Sequence, residues 1–342
     1  MSRSNMTRSR MKPPSTFRSM LQGERGSITI LMALLLPVFL GFAALVVDLG
    51  LGYTNRRALQ NAADAAALAS AGVLSQSWTG TQITATSAQA TAAVTSYVQA
   101  NMLPKETATF QIEFLDKNKA IIPLSASTRG VRVTTKLTQP SLFGRILGVD
   151  SLMPGAKAAA EFGPAGSGKG VSPIAVDDSV SNLYRLQPAG GNSDGNYVNV
   201  ALINTAAFGS QQDFFDALEN GMRDPVVLGQ SYVTSAPDWV RWRKSVVDAL
   251  NKRIDLGSSY GDTPTHYRAN SPQVLIVPTV QGGFGNGGSP VKLYRFRAFF
   301  LQRMDPAGNW AKGVFLNNVS FTQGAINQGS PYGGVTALRL VE

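Results

Sequence analysis

Apolar residues are unevenly spread along this chain, and the densest run comes first. Between Arg25 and Asp48 lie 22 residues, 26 to 47 (GSITILMALLLPVFLGFAALVV), without a charge. A helix of that length covers a bilayer core, which needs about 20 apolar residues. Pro37 and Gly41 fall in mid-span, where a kink is tolerated if neighbours satisfy the freed carbonyl. The pattern then changes to LGLGYTNRRALQNAADAAALASAGVL, dominated by alanine, the strongest helix former. Small residues at Ala58, Ala62, Ala65, Ala66 and Ala69 make a narrow stripe at helical spacing. Such a stripe admits a closely approaching helix or sheet: packing within the chain is the plainer reading, a face between subunits the sharper one.

Further on, 81–102 reads as a second helix, and 108–115, 119–124 and 130–139 as strands rich in β-branched residues. Residues 141–149 (SLFGRILGV) form a short helix and 155–162 a closing strand. This predicts an α+β class in which a long helix packs on a small antiparallel sheet. GPAGSGKG (163–170) reads as a linker, after which 171–342 is rich in strands: YVNVALIN, PQVLIVPTV, VKLYRFRAFFLQRM and AKGVFLNNVSF. Helices are expected at 211–221 and 238–254, a flexible loop at GGFGNGG (282–288), and a turn at Asp305, Pro306, Ala307 and Gly308. The expected organisation is a tail (1–25), a membrane helix (26–50), an α+β domain (51–162), the linker, and a β-rich outer domain (171–342).

Charge orients the first helix. Arg3, Arg8, Arg10, Lys12, Arg18 and Arg25 precede it against Glu24 alone, and only Arg56 and Arg57 closely follow it. The positive-inside rule then places the N-terminus in the cytoplasm and the bulk outside, on a single-pass anchor with Asp48 at its outer boundary. A cleaved signal peptide would carry a shorter apolar region, about 7–15 residues, and a small-residue cleavage site. Half of the net charge of +10 sits in that short tail and the remainder of the chain is only mildly basic, so no nucleic-acid surface is implied. The 342 residues, 44% hydrophobic, contain no cysteine and one histidine, His266. That excludes thiol catalysis and His-cluster metal sites, and disfavours enzyme chemistry.

Three patterns invite a chemical role. Gly163 to Lys169 nearly fits a phosphate-binding loop, but Gly170 stands where a magnesium-coordinating hydroxyl belongs. Asp177, Ser179 and Ser181 have the spacing of a hydroxyl-and-carboxylate cation site, yet PIAV is a short strand for one and a plain turn is the better reading. The helix 238–254 carries Arg241, Arg243, Lys244, Lys252 and Arg253 beside Trp239 and Trp242. Asp238, Asp248 and Asp255 offset those charges, which reads as a solvated basic face. No cofactor is expected, and His266 reads as a loop residue.

The stretch RGSITILMALLLPVFLGFAALVVDLG, followed by YTNRRALQNAADAAALASA, resembles the N-terminal module of TadE/TadG-like Flp pilus-assembly proteins. The matching positions are Arg25, Gly26, Pro37, Val47, Asp48, Leu59 to Asp64, and Ala65 to Leu68. Residues 131–162 resemble the strand–helix–strand segment that follows in that family. A weaker resemblance covers Pro173 to Val176, Glu219 to Gly229, Val247 to Ile254 and Val274 to Val280. Type IV prepilins carry Glu at the fifth position after the cleavage-point glycine, whereas Leu31 stands there relative to Gly26, which favours an uncleaved anchor. The resemblance implies a non-enzymatic pilus or secretion component. It would meet the bilayer through 26–47 and other assembly components or pilin-like subunits outside, with an oligomer as one form of that contact. The competing class is an envelope adhesin or ligand-binding module, metal-dependent if Asp177 holds a cation.

Overall fold

A computed structural model describes residues 25–101, 108–179, 183–188, 197–203, 208, 210–235, 243–284 and 290–341. The basic tail, Ser181, Trp239, Arg241 and Trp242 lie outside the described residues. The chain divides into two compact units, Met1–Arg56 with Thr138–Pro154, and Arg57–Leu137 with Gly155–Glu342. The class is α+β, with four α-helices among the described residues.

Helix α1 (Arg25–Ser77) passes through Pro37 without ending. Helix α2 (Ser87–Asn101) starts six residues later than the apolar pattern suggested. Its start is set by a reciprocal cap: the Gln89 N–H donates to Thr86 Oγ1 at 3.3 Å, and the Thr86 N–H donates to Gln89 Oε1 at 2.9 Å. Strands β1 (Ala108–Leu115), β2 (Ile121–Ile122), β3 (Gly130–Leu137), β4 (Gln139–Pro140), β5 (Ser151–Leu152) and β6 (Gly155–Gly168) follow. After them come β7 (Ile174–Asp177), β8 (Leu183–Pro188), β9 (Tyr197–Ile203), α3 (Gln211–Asn220), β10 (Val226–Val227), β11 (Ser231–Ser235) and α4 (Arg243–Ser259). The chain finishes with β12 (Val274–Val280), β13 (Pro290–Met304), β14 (Ala311–Leu316), β15 (Val319–Ser320), β16 (Gly324–Ile326) and β17 (Val335–Val341).

In the smaller unit, β4 and β5 pair antiparallel and carry a 3-10 turn at Gly144–Leu147 between them. This hairpin meets α1 between Asp48 and Asn55.

In the larger unit, one sheet runs β15-β17-β6-β3-β1-β2. The buried edge of α1, comprising Leu59, Ala62, Ala63, Ala66, Ala67, Ser70, Ala71 and Leu74, belongs to this unit. Most of it shares a core with Val94 and Val98 of α2, Val131 and Val133 of β3, and Ala160 and Phe162 of β6. Alanines let the helix sit close to the sheet, and Thr135 Oγ1 donates to the Leu59 carbonyl at 3.1 Å across that contact.

Strand β6 differs most from expectation. Residues 163–168, predicted as linker, continue the strand to Gly168 and pair with β17, β10 and β16. Its glycines are there for close approach: a Cβ at Gly166 would collide with Asn327, and one at Gly168 with the Phe321 ring. The last strand, β17, aligns Thr336 with Pro164 and Val341 with Ala159, so the chain's end joins the first sheet. The expected separation into a domain ending at 162 and another beginning at 171 is therefore not the division seen.

The second sheet closes on itself through β13-β12-β7-β9-β8-β14 and back to β13. Its central strands are buried on both faces. Ile174, Val176, Leu275, Val277 and Phe299 pack with Phe214 and Leu218 of α3 and Val246 and Leu250 of α4. Ala175, Ile276, Ala298 and Phe300 join a second core with Val171, Phe321 and Val335. Helix α4 runs to Ser259, past the predicted end. The turn predicted at 305–308 links β13 to β14, with the Gly308 N–H on the Asp305 carbonyl at 2.8 Å.

Candidate functional site

From Ile28 to Val47 every residue of α1 is exposed except Ala44, which is half-buried. Phe39 is 67% exposed. A protein in water buries such side chains, and a contiguous apolar surface of this extent marks a contact with something apolar. By length and composition this helix can cross a membrane.

The apolar run ends at Asp48, which is 3% exposed. Its carboxylate is enclosed by the start of the hairpin's 3-10 turn. Asp48 Oδ2 accepts from Ser141 Oγ at 2.5 Å, the Phe143 N–H at 3.0 Å and the Gly144 N–H at 2.7 Å. Oδ1 accepts from the Leu142 N–H at 3.0 Å. The first N–H groups of a helical turn have no partner within it, and a carboxylate satisfies several at once while complementing their dipoles. A Cβ at Gly144 would strike Ser141 Oγ, and Gly148 closes the turn at φ 82°. The hairpin also meets α1 at Asn55, whose Nδ2 donates to Gln139 Oε1 at 2.7 Å, while Leu152 lies over Gly52. Positions 48, 52 and 55 share one helix face, so the hairpin lies along α1 with its tip at Asp48.

In the larger unit, the stripe anticipated for packing is partly buried. Ala62 and Ala66 are fully enclosed, whereas Ala58, Ala65 and Ala69 are half-buried beside a buried edge centred on Ala63, Ala67 and Ala71.

Residues 26–73 match the model of the putative Flp pilus-assembly TadE/G-like family. The TadE/G-like segment thus takes in Gly26, Pro37, Gly41, Val47, Asp48 and the Ala58–Ala69 stripe, and stops short of the hairpin and both sheets. No curated protein and no solved structure matches the chain.

The other sequence candidates lie beyond the TadE/G-like segment. Gly163 to Gly168 lie in β6, so they form no loop around a phosphate, and Lys169 follows the strand's end. Asp177 Oδ1 accepts the Ser179 N–H at 3.0 Å in a tight turn. Among the described residues no cluster of three His, Asp or Glu side chains could hold a metal.

Within the basic helix, Arg253 differs from a solvated face. Arg253 is half-buried, and its guanidinium donates to the carbonyls of Pro272, Leu218, Glu219 and Val274. Burial pushes its pKa down to about 10, partly opposed by the Glu219 charge. It caps the last carbonyls of α3 and ties them to the start of β12, a structural role. Lys252 is exposed and pairs with Glu219 at 2.6 Å. His266 sits in a tight turn, exchanging backbone hydrogen bonds with Thr263.

Sequence reading missed Asp48 and Arg253 as organising groups. The signal for Asp48 was present: a lone acid ending an apolar run, with the serine–glycine turn S-L-F-G more than ninety positions later. Nothing in composition singled out Arg253 from its neighbours.

Proposed function

We propose that the protein is a membrane-anchored, non-enzymatic component of a Flp/Tad-type pilus or secretion system. It works through protein–protein contacts made outside the cytoplasm. One observation carries the reading: the TadE/G-like match over residues 26–73 coincides with the exposed apolar helix. The basic tail sets the direction of insertion, with the N-terminus cytoplasmic and both sheets on the far side. The anchor is retained, since Leu31 occupies the position at which type IV prepilins carry glutamate. Support for a non-enzymatic role comes from the same family match and from a sequence with no cysteine and a single histidine.

The test is a clean deletion in the native host with complementation. Loss of pilus assembly and surface adherence, restored by the full chain but not by a chain lacking residues 26–47, is expected. Unchanged piliation, adherence and secretion in the deletion strain would refute the proposal.

A further inference from the structure

The tip of the hairpin in the smaller unit has a composition at odds with an aqueous surface. Between Ser141 and Val149 it exposes Leu142, Phe143, Ile146 and Val149, with Ile146 84% exposed. The one charge in that stretch is Arg145, also exposed. These side chains are not left out by loose folding. The turn that presents them is fixed by four hydrogen bonds to Asp48, by the bond from the Gly144 N–H to Ser141 Oγ at 2.9 Å, and by the Gly148 reversal.

Placement says what covers them. The hairpin lies along the α1 face formed by residues 48, 52 and 55, and its tip is bonded to residue 48. One residue further back, at 1.5 Å along the axis, begins the exposed apolar surface of Val47, Val46 and Leu45. The apolar tip and the apolar helix are therefore one continuous surface. A lipid chain that reaches Val47 is within a side-chain length of Leu142 and Phe143. Arg145 supplies the cation that such a position favours, since an arginine stem can lie along apolar surface while its guanidinium reaches a phosphate.

We propose that residues Leu142, Phe143, Ile146 and Val149 form an interfacial wedge beside the transmembrane helix. They enter the boundary between headgroups and acyl chains to a depth of about 5–10 Å, as amphipathic interfacial elements do. This rests on the reading of residues 26–47 as a membrane span. The chain would then contact the bilayer at two points, the span and a loop contributed from more than ninety residues away in sequence. Two contacts fix the rotation of the helix about its axis, which one helix in lipid does not define.

The absence of cysteine makes the test direct. Single variants Phe39→Cys and Ile146→Cys of the full chain carry an environment-sensitive fluorophore and are reconstituted into phosphatidylcholine–phosphatidylglycerol vesicles. The vesicles contain lipids brominated either deep in the chain or near the headgroup, and aqueous iodide serves as the opposing quencher. The expected result is strong quenching of Phe39→Cys by deep bromines and of Ile146→Cys by shallow bromines, with Ile146→Cys protected from iodide. If Phe39→Cys is not quenched by either lipid, the span fails and the wedge fails with it. If Phe39→Cys is quenched by lipid while Ile146→Cys responds only to iodide, the wedge is refuted and the span stands. Quenching of Ile146→Cys by neither agent refutes it in favour of a contact with another protein chain. Repetition with Val149→Cys guards against a local effect of the label.

Discussion

Asp48 ends the exposed apolar stretch of α1, and it is the acceptor for four donors of the hairpin tip. A charge-assisted hydrogen bond contributes about 1.5–3 kcal/mol, so losing the set should free the tip. In Asp48→Asn the amide group presents hydrogens to N–H donors, and amide exchange at Leu142, Phe143 and Gly144 should accelerate by roughly ten- to a hundredfold, a change of that size in free energy. Unchanged protection at those amides would contradict the assignment. Another residue is legible only from the fold. Tyr332 lies against Trp78 with ring centroids 4.8 Å apart, and its hydroxyl donates to Asn318 Oδ1 at 2.5 Å. Burial raises its pKa to about 12, with a hydrogen bond from the Asn318 backbone acting the other way. Because the folded value lies above the ordinary value of about 10, the stability this confers is complete below pH ~10 and disappears as pH rises through ~12. An absorbance titration of the full chain should therefore show a late-ionising tyrosine that is missing in Tyr332→Phe.

Elements with a clean period were readable from sequence. Strand β1 spans the residues expected, α3 differs by one, and the turn at Asp305–Gly308 has its expected hydrogen bond, because alternation and turn chemistry are local. Strand β6 was readable only to Phe162. Beyond it, Gly163, Gly166 and Gly168 resemble a linker, since glycine is the usual residue both of flexible segments and of strands crossed closely by another backbone. Only the contacts with Ile326, Asn327 and Phe321 separate the two cases. Gly166→Val should therefore destabilise the chain by roughly 1–3 kcal/mol, as overpacking does, whereas a true linker would tolerate it. The denaturant midpoint of the full chain in detergent distinguishes these outcomes. Helix α1 was legible as a helix throughout, but its buried edge is offset from the predicted stripe because the sheet, not the alanine count, selects which face is covered.

At the level of the whole molecule, the strand pairing made by residues 163–168 was not recoverable from composition. Pairing of β17 with β6 joins residues about 180 positions apart, and Ser75 Oγ meets Thr336 Oγ1 at 2.5 Å within the same unit. Truncation before Val335 removes a strand from the first sheet as well as a support of the second. Limited proteolysis should then cut within β1 to β3, segments protected in the full chain; a stable fragment containing them would show the sheet to be independent of the C-terminus. The membrane reading predicts that the protein stays with the membrane pellet after an alkaline carbonate wash. The central claim, that an anchored TadE/G-like segment serves assembly, is tested most directly by affinity purification of the tagged full chain from native membranes in mild detergent. Flp/Tad assembly components should co-purify with it and be lost when residues 26–47 are replaced by an unrelated membrane helix. Purification of the chain without them, from cells that are assembling pili, would contradict the account.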